Sequence, residues 1–340
     1  MLQAVMTSPG IIKFNDIAVP EPGAGRVLIK IVRIGICGSD IHVYHGKHPY
    51  TSYPVVQGHE VSGEVVGLGE GVLSLAIGDR VTIQPQVTCG KCYPCLNGKY
   101  HICDELKVMG FQTTGAASEY FVADEAKVIK LPDSMGFDEG AMIEPLAVAV
   151  HAMRKGVDVE DKNIMVLGAG TIGNLVAQAA KGMGAKSVMI TDVSEYRLDM
   201  ARRCGIEHCV NTVSINIGDM ILEKFGPRKA DLIFECVGSD VTIGQALSCA
   251  RKGTDIIVVG VFPDKMTIDL GLLQDRELRM IGTLMYQRND YEKAIELVKT
   301  IKIKLKPLIT DHFPFSDYLK AYEYIERQKD RVMKVMIDLH

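Results

Sequence analysis

Hydrophobic and polar positions along the chain fall into two textures. From Lys162 to Gly205, KNIMVLGAGTIGNLVAQAAKGMGAKSVMITDVSEYRLDMARRCG runs as an apolar strand, a glycine turn, a helical stretch and a second strand, the pattern of a βαβ unit. Apolar strands recur in ADLIFECVG (230–238) and GTDIIVVGVF (253–262), with helical stretches between them. This alternation predicts a doubly wound parallel sheet, spanning roughly residues 150–285. The first half differs. Segments such as RVLIKIVRIGICG and EVSGEVVGLGEGV are rich in valine and isoleucine and broken by glycines, which predicts twisted β structure with short turns. Neither internal repeats nor low-complexity segments are evident.

The length of 340 residues, 47% of them hydrophobic, exceeds what one core usually holds and predicts two domains. The start, MLQAVMTSPGIIKF, has neither a basic segment nor a long apolar run, and no later stretch approaches the roughly 18 apolar residues of a membrane span. A soluble, cytoplasmic protein is expected. With 38 basic and 42 acidic residues the formal charge is -4, which provides no field to attract a phosphate backbone and argues against nucleic acid as a partner. The nine cysteines are odd in number and unevenly placed, against a disulfide framework. Reduced thiols are then free to bind metal.

Four of them stand in TCGKCYPCLNGKYHIC (88–103), where Cys89, Cys92, Cys95 and Cys103 are spaced C-x-x-C-x-x-C-x7-C and Gly90, Pro94 and Gly98 supply turns. Four soft thiolates with no vacancy suit a closed, tetrahedral, structural zinc site. An iron-sulfur cluster is the competing metal reading, but a ferredoxin run places its fourth cysteine after three residues and before proline. Here Cys103 follows after seven and precedes Asp104. Ordinary free cysteines are the third alternative.

In the second half, Gly168, Gly170 and Gly173 follow the predicted strand Ile164 to Leu167 and precede a helix. Such glycines give a tight turn, room for a pyrophosphate against the backbone, and close helix-to-strand contact. Asp192 ends the next strand, where a carboxylate would accept hydrogen bonds from ribose hydroxyls and repel the 2′-phosphate of NADP, so NAD is the expected cofactor. A glycine turn in another kind of α/β protein is the alternative.

The β-rich half carries Cys37 in GICGSDIHVY and the pair His59 and Glu60 in VVQGHEVSG, the ligand types of a catalytic zinc with one open position. Glu144, among the apolar residues of GAMIEPLAVAVHA, is costly to ionise without a nearby cation. Singly each has a plainer reading: a core cysteine, an ion pair on a strand, a carboxylate at a helix N-terminus.

Together, CGSDIH, GHEVSGEVV, the four-cysteine loop, IEPLAVAVHA, GAGTIG and ITDVSEYRL resemble, in order and spacing, the zinc-containing medium-chain dehydrogenases, in their polyol (sorbitol-like) and L-threonine 3-dehydrogenase branch. The resemblance implies an α/β protein with a GroES-like β-rich catalytic domain at 1–149, completed by 286–340, and a Rossmann NAD-binding domain at 150–285. It implies two zinc ions per chain. Cys37, His59 and Glu60 match the catalytic zinc ligands, and Glu144 matches a glutamate that binds the metal or its water. Ser39 and His42 match proton-relay positions, and Asp40 would orient a ligand. Cofactor contacts are implied for Gly168, Gly170, Thr171, Ile172, Gly173, Asp192 and Arg197. A homodimer or homotetramer is implied as well, and DIIVVGVF is expected near the edge of the Rossmann sheet, where a second subunit could extend it.

The implied activity is oxidation of a secondary alcohol of a polyol or sugar derivative to a ketone, with hydride transfer to NAD. L-threonine, a sugar acid and a sugar phosphate are alternative substrates, and a non-catalytic NAD-binding protein is the alternative of a different class. The open zinc site argues against the last. Two departures bear on substrate. Sorbitol dehydrogenases carry an Arg-Tyr pair where this chain has Met285 and Tyr286, with Arg288 close by, which puts sorbitol itself in doubt. TTGAASEY (113–120) stands where relatives read GGFAEY. The loop VYHGKHPYTSYP (43–54) offers Tyr44, His45, Lys47 and His48, read as a solvated surface loop more readily than as a substrate contact.

Overall fold

Alternation of β-branched residues builds the N-terminal half. Val27, Ile29 and Ile31 take every second position of strand Arg26–Gly35 and are all buried, so one face of the strand supplies the core. Val61 and Val65 of Glu60–Leu68, with Val81 and Ile83 of Arg80–Ile83, join the same cluster. At about 25 cal/mol per Å² of apolar surface, each such side chain contributes roughly 1.5–3 kcal/mol of burial energy. The chain is described by a computed structural model covering residues 1–262 and 264–339.

It divides into two compact units, one formed by Met1–Glu144 with the chain from Ile309 onward, the other by Pro145–Leu308. The first unit is organised by a seven-stranded sheet in which the last strand, Lys334–Asp338, pairs antiparallel with the end of Arg26–Gly35 (Met336 opposite Gly35) and parallel with Ile309–Pro314. The C-terminal segment thus returns to complete a sheet begun by the first 35 residues.

The second unit holds six parallel strands, β1 Asn163–Leu167, β2 Ser187–Asp192, β3 His208–Asn211, β4 Leu232–Glu235, β5 Asp255–Val258 and β6 Arg279–Gly282. Their order across the sheet is β3-β2-β1-β4-β5-β6. Chain direction across the sheet therefore reverses between β1 and β4, the place where doubly wound sheets take dinucleotides. All five residues of β1 are buried, and Ile164 to Leu167 form an uninterrupted apolar run, as a strand with helices on both faces requires.

Two expectations need correction. Residues 286–308 pack with the Rossmann unit and not with the returning C-terminal segment. The cause is the helix Arg288–Lys299, whose Tyr291, Ala294 and Leu297 are fully buried, together with Asp290. Asp290 accepts hydrogen bonds from His151 Nδ1 (2.7 Å), Arg154 Nη1 (2.8 Å) and the Gln287 N–H (2.8 Å), all in the same unit. The strand of DIIVVGVF, β5, lies between β4 and β6, and the edge strand on that side is β6.

Burial opposes the charge of Asp290, but its bonds to His151, the Gln287 N–H and Arg154 hold its carboxyl below the usual range. A depressed carboxyl stabilises the fold above its unfolded value and ceases to do so as pH falls through the folded one. Asp290→Ala is therefore expected to lower denaturant stability at neutral pH by about 2 kcal/mol or more, with the difference from wild type shrinking in acid. Urea melts at pH 7 and at pH 3 check both.

Candidate active site

Cys37 stands at the N-cap of the short helix Gly38–Tyr44, where its N–H donates to Asp40 Oδ2 at 2.9 Å. Glu60 opens the strand Glu60–Leu68, with His59 immediately before it, and lies opposite Gly35 in the neighbouring strand. A Cβ at Gly35 would sit 2.4 Å from Glu60 Oε2, so the glycine makes room for the carboxylate. These elements bring one ligand atom each from Cys37, His59 and Glu60 within 4.8 Å of one another.

Behind them runs a buried polar chain. Tyr322 donates to Gln57 Oε1 at 2.7 Å, and Gln57 Nε2 donates to Asp40 Oδ1 at 3.0 Å. Asp40 Oδ1 in turn faces His59 Nδ1 at 3.6 Å. That separation is longer than a hydrogen bond, and His59 Nδ1 is a buried atom without a partner among the described residues. Burial disfavours a charged imidazole, yet Asp40, Cys37 and Glu144 outweigh it and raise His59 well above its ordinary value. A buried imidazole drawn towards positive charge by a thiol and carboxylates is a donor set that a divalent cation fits.

One member of the site was not foreseen in the sequence. Lys334, 3% exposed, donates to Glu60 Oε2 at 2.5 Å and to the Ile36 carbonyl at 3.0 Å. It opens the last strand and interrupts the apolar run Val332–Ile337, and a lysine inside such a run is the signal that could have revealed a buried partner carboxylate. Gln57 and Tyr322 carry no comparable signal, since their roles depend on a contact 265 residues apart in the chain.

Glu144, 6% exposed, sits in the first turn of helix Ile143–Met153. It is not among the three residues whose ligand atoms converge, although its charge acts on His59 and on Lys334. Ser39 is half-buried and His42 exposed on the helix that follows Cys37, three residues apart and so on one face.

The loop at 43–54 is more than a solvated surface. His48 is half-buried, stacks on Phe111 at 4.7 Å and 12°, and bonds Thr51 through Nδ1 at 2.7 Å. Phe111 packs in turn on the His59 ring at 4.9 Å. TTGAASEY also has a visible role. Ala116 and Ala117 are fully buried and donate backbone hydrogen bonds to the Gly58 and Gln57 carbonyls, both at 2.9 Å, bracing the approach to His59.

The four cysteines of the loop are free thiols whose sulfurs all lie within 4.8 Å of one another. Cys103 Sγ is 3.5 Å from Cys89 Sγ and 3.7 Å from Cys92 Sγ. Sulfurs about 2.3 Å from a tetrahedral zinc would be about 3.8 Å apart, so the spacing fits that ion. The thiols perturb one another. Against desolvation, N–H groups of Asp104 and Cys95 with neighbouring thiols draw Cys92 down to about 7. Cys95 is pushed up to about 12 by burial and by the Cys92 and Cys103 thiols.

In the Rossmann unit, a Cβ at Gly173 would meet the Gly168 carbonyl oxygen at 1.8 Å, so helix and strand can approach only with glycine there. A Cβ at Gly170, the N-cap of helix Thr171–Gly182, would meet nothing within 4 Å, which leaves open space at the first helical N–H groups of Thr171 and Ile172. Asp192 ends β2 and accepts hydrogen bonds from the N–H groups of Ala169 (2.7 Å) and Ser194 (2.8 Å), with Arg197 Nη1 at 3.9 Å. These residues fit a dinucleotide: an open pyrophosphate cradle and a fixed carboxylate one strand away.

Comparison with known proteins agrees with this geometry. Residues 23–133 match the alcohol dehydrogenase GroES-like domain and residues 171–300 the zinc-binding dehydrogenase domain. D-xylulose reductase of Saccharomyces cerevisiae is 34% identical over 346 residues, covering 98% of this chain and 96% of that protein. L-threonine 3-dehydrogenase of Vibrio cholerae is 34% identical over 314 residues, covering 91% of each. Among solved structures, galactitol-1-phosphate dehydrogenase of Escherichia coli superposes with a TM-score of 0.93 at 31% identity, each chain covered in full. An alcohol dehydrogenase of Escherichia coli CFT073 complexed with NADH does so with 0.92 at 30% identity, covering 100% and 99%. The chain belongs to the zinc-dependent medium-chain alcohol dehydrogenases, in the branch that holds polyol and L-threonine dehydrogenases. It is an oxidoreductase of CH–OH groups that uses zinc and NAD.

Removing Lys334 would leave Glu60 buried without its cation. Lys334→Met is expected to destabilise the metal-free protein by about 3 kcal/mol. Denaturant unfolding in excess chelator measures this, and an unchanged midpoint would show that the pair contributes nothing.

Proposed function

We propose that this dehydrogenase oxidises a secondary alcohol flanked by further hydroxyls, in a polyol or sugar derivative, to a ketone with hydride transfer to NAD. The convergence of one ligand atom each from Cys37, His59 and Glu60 within 4.8 Å is the observation that carries the reading. Cys37, His59 and Glu60 would hold a catalytic zinc, with Glu144 close enough to act on the site through its charge or a water. Cys89, Cys92, Cys95 and Cys103 would hold a second, structural zinc. The catalytic ion supplies Lewis acidity, lowering the pKa of a hydroxyl towards neutrality. NAD supplies the hydride acceptor.

The chain's own residues do the positioning and the proton handling. Asp40, held by Gln57 and the Cys37 N–H, orients the His59 ring. Lys334 fixes one oxygen of Glu60 and leaves the other to the metal. Ser39 receives the substrate proton and His42, exposed three residues on, passes it to solvent. Thr171 and Ile172 offer backbone N–H groups to the pyrophosphate, and Asp192 binds the ribose hydroxyls, with Arg197 beside it. Asp192 supports NAD over NADP, because its charge repels a 2′-phosphate. The nine cysteines are all free, which suits a reducing, cytoplasmic setting. Among the described residues no helix is long and apolar enough to cross a membrane. A homo-oligomer is proposed on the family resemblance, with β6 rather than β5 as the strand available for extension.

Metal content separates the two sites. Purified protein should contain two zinc ions per chain; one ion or none with full activity would refute the assignment. Cys92→Ser should lose one ion and thermal stability together, whereas Glu60→Ala should lose turnover and the second ion at a stability cost like that of Lys334→Met, since it leaves Lys334 buried without its partner, while the four-cysteine loop keeps its ion.

Substrate is tested by NADH formation over polyols, aldonic acids, sugar phosphates and threonine, with NADP run in parallel. Polyhydroxy compounds should lead, with sorbitol a poor member. Met285, half-buried at φ 52°, offers no donor fork for substrate hydroxyls, and Met285→Arg should raise sorbitol turnover relative to the others. Threonine ahead of every polyhydroxy compound would overturn the polyol reading.

A further inference from the structure

Glu235 is the last residue of β4 and is fully buried, facing Leu167 of β1 on one side and Val258 of β5 on the other. One oxygen, Oε1, accepts hydrogen bonds from the N–H groups of Val237 and Gly238, both at 2.9 Å, and from the Thr242 hydroxyl at 2.7 Å. Its backbone carbonyl accepts from Val259 (2.8 Å) and Gly260 (2.9 Å). A single residue therefore ties down both turns that leave β4 and β5.

Those turns are packed backbone against backbone. A Cβ at Gly238 would lie 2.3 Å from the Val261 carbonyl oxygen, and one at Gly260 would lie 2.4 Å from the Gly238 nitrogen and 2.6 Å from Glu235 Oε2. Oε2 itself is buried with no hydrogen-bond partner among the described residues. A carboxylate so placed is costly by the ordinary balance of burial, and a neutral side chain would fill the space more cheaply. Its retention points to the shape it imposes at the C-terminal ends of β4 and β5. In a doubly wound sheet, one half of a dinucleotide lies over the ends of β1 to β3 and the other over the ends of β4 to β6. The Asp192 side is the adenosine half, so the β4 and β5 turns belong to the nicotinamide half.

We propose that Glu235 is a positioning residue for the nicotinamide half of the cofactor, acting through the turns 236–239 and 259–261. The proposal rests on the assignment of NAD and is independent of which alcohol is oxidised. Failure of the wild-type protein to bind NADH would sink that assignment before this one.

Calorimetric titration with NADH and with AMP tests it, since AMP occupies the adenosine half alone. Glu235→Ala is expected to weaken NADH binding about tenfold or more through loss of hydrogen bonds to a charged group, with AMP affinity within about twofold of wild type. Glu235→Gln keeps an acceptor at Oε1 and should restore NADH affinity to within about threefold. Wild-type affinity for NADH in Glu235→Ala, or equal losses for NADH and AMP, would overturn the proposal. Should the alanine variant not fold, Thr242→Val decides, because it removes one of the three donors to Oε1, with its contacts to Ser239, and leaves the Val237 and Gly238 N–H donors in place. It should weaken NADH about threefold and leave AMP unchanged, and wild-type NADH affinity in that variant would refute the role of Glu235.

Discussion

Charge buried in an apolar interior must be compensated, and the N-terminal unit is built round that demand. Asp40, His59, Glu60, Glu144 and Lys334 are all at most 6% exposed. An isolated ion there would cost several kcal/mol, so each has a counter-charge or a donor within reach. Lys334 answers Glu60, Gln57 and the Cys37 N–H answer Asp40, and His59 stands between Asp40 and Cys37. The set contains more acid than base, and a divalent cation is the species whose arrival would balance it.

The demand explains the chain's path. The first 37 residues provide Gly35 and Cys37, the start of the next strand of the sheet provides Glu60 with His59 just before it, and the compensating groups Tyr322 and Lys334 arrive only with the last 25. A sheet that ended with the N-terminal segment would leave Glu60 without its lysine. Pairing of Lys334–Asp338 against Arg26–Gly35 is thus part of the site as much as part of the fold. Small residues make room elsewhere in the site: Gly35 beside the Glu60 carboxylate, and Ala116 and Ala117 against the Gln57 and Gly58 carbonyls.

Much of this was legible in the sequence because it is local. The spacing of Cys89, Cys92, Cys95 and Cys103, the glycines from Gly168 to Gly173 and the strand-ending Asp192 each lie within one short segment, and the structure places them together as their spacing suggests. What escaped is non-local. Lys334 stands out as a lysine in an apolar run, but its partner Glu60 is not named until the strand order is known, and Tyr322 carries no signal at all. The boundary at 286–308 escaped because the helix Arg288–Lys299 is anchored by Asp290 to His151 and Arg154, more than a hundred residues earlier. His48 read as surface because nothing in the loop itself announces Phe111 as its stacking partner.

The two cysteine-bearing sites differ in what supports them when no metal is bound. Around the four-cysteine loop, Tyr93 and Leu96 are 77% and 72% exposed, and the strand pairing there among the described residues is a two-residue ladder between Gln86–Val87 and Lys107–Val108. Such a segment has almost no core, and its conformation would depend on whatever draws the four sulfurs together. Cys37, His59 and Glu60 instead rise from a seven-stranded sheet and a buried hydrogen-bonded chain that exist before any ion arrives. A metal in the loop would make structure, while a metal at the mixed-ligand site would enter structure already made. That difference in preorganisation, more than the difference in ligands, is why one site suits a clasp and the other suits chemistry.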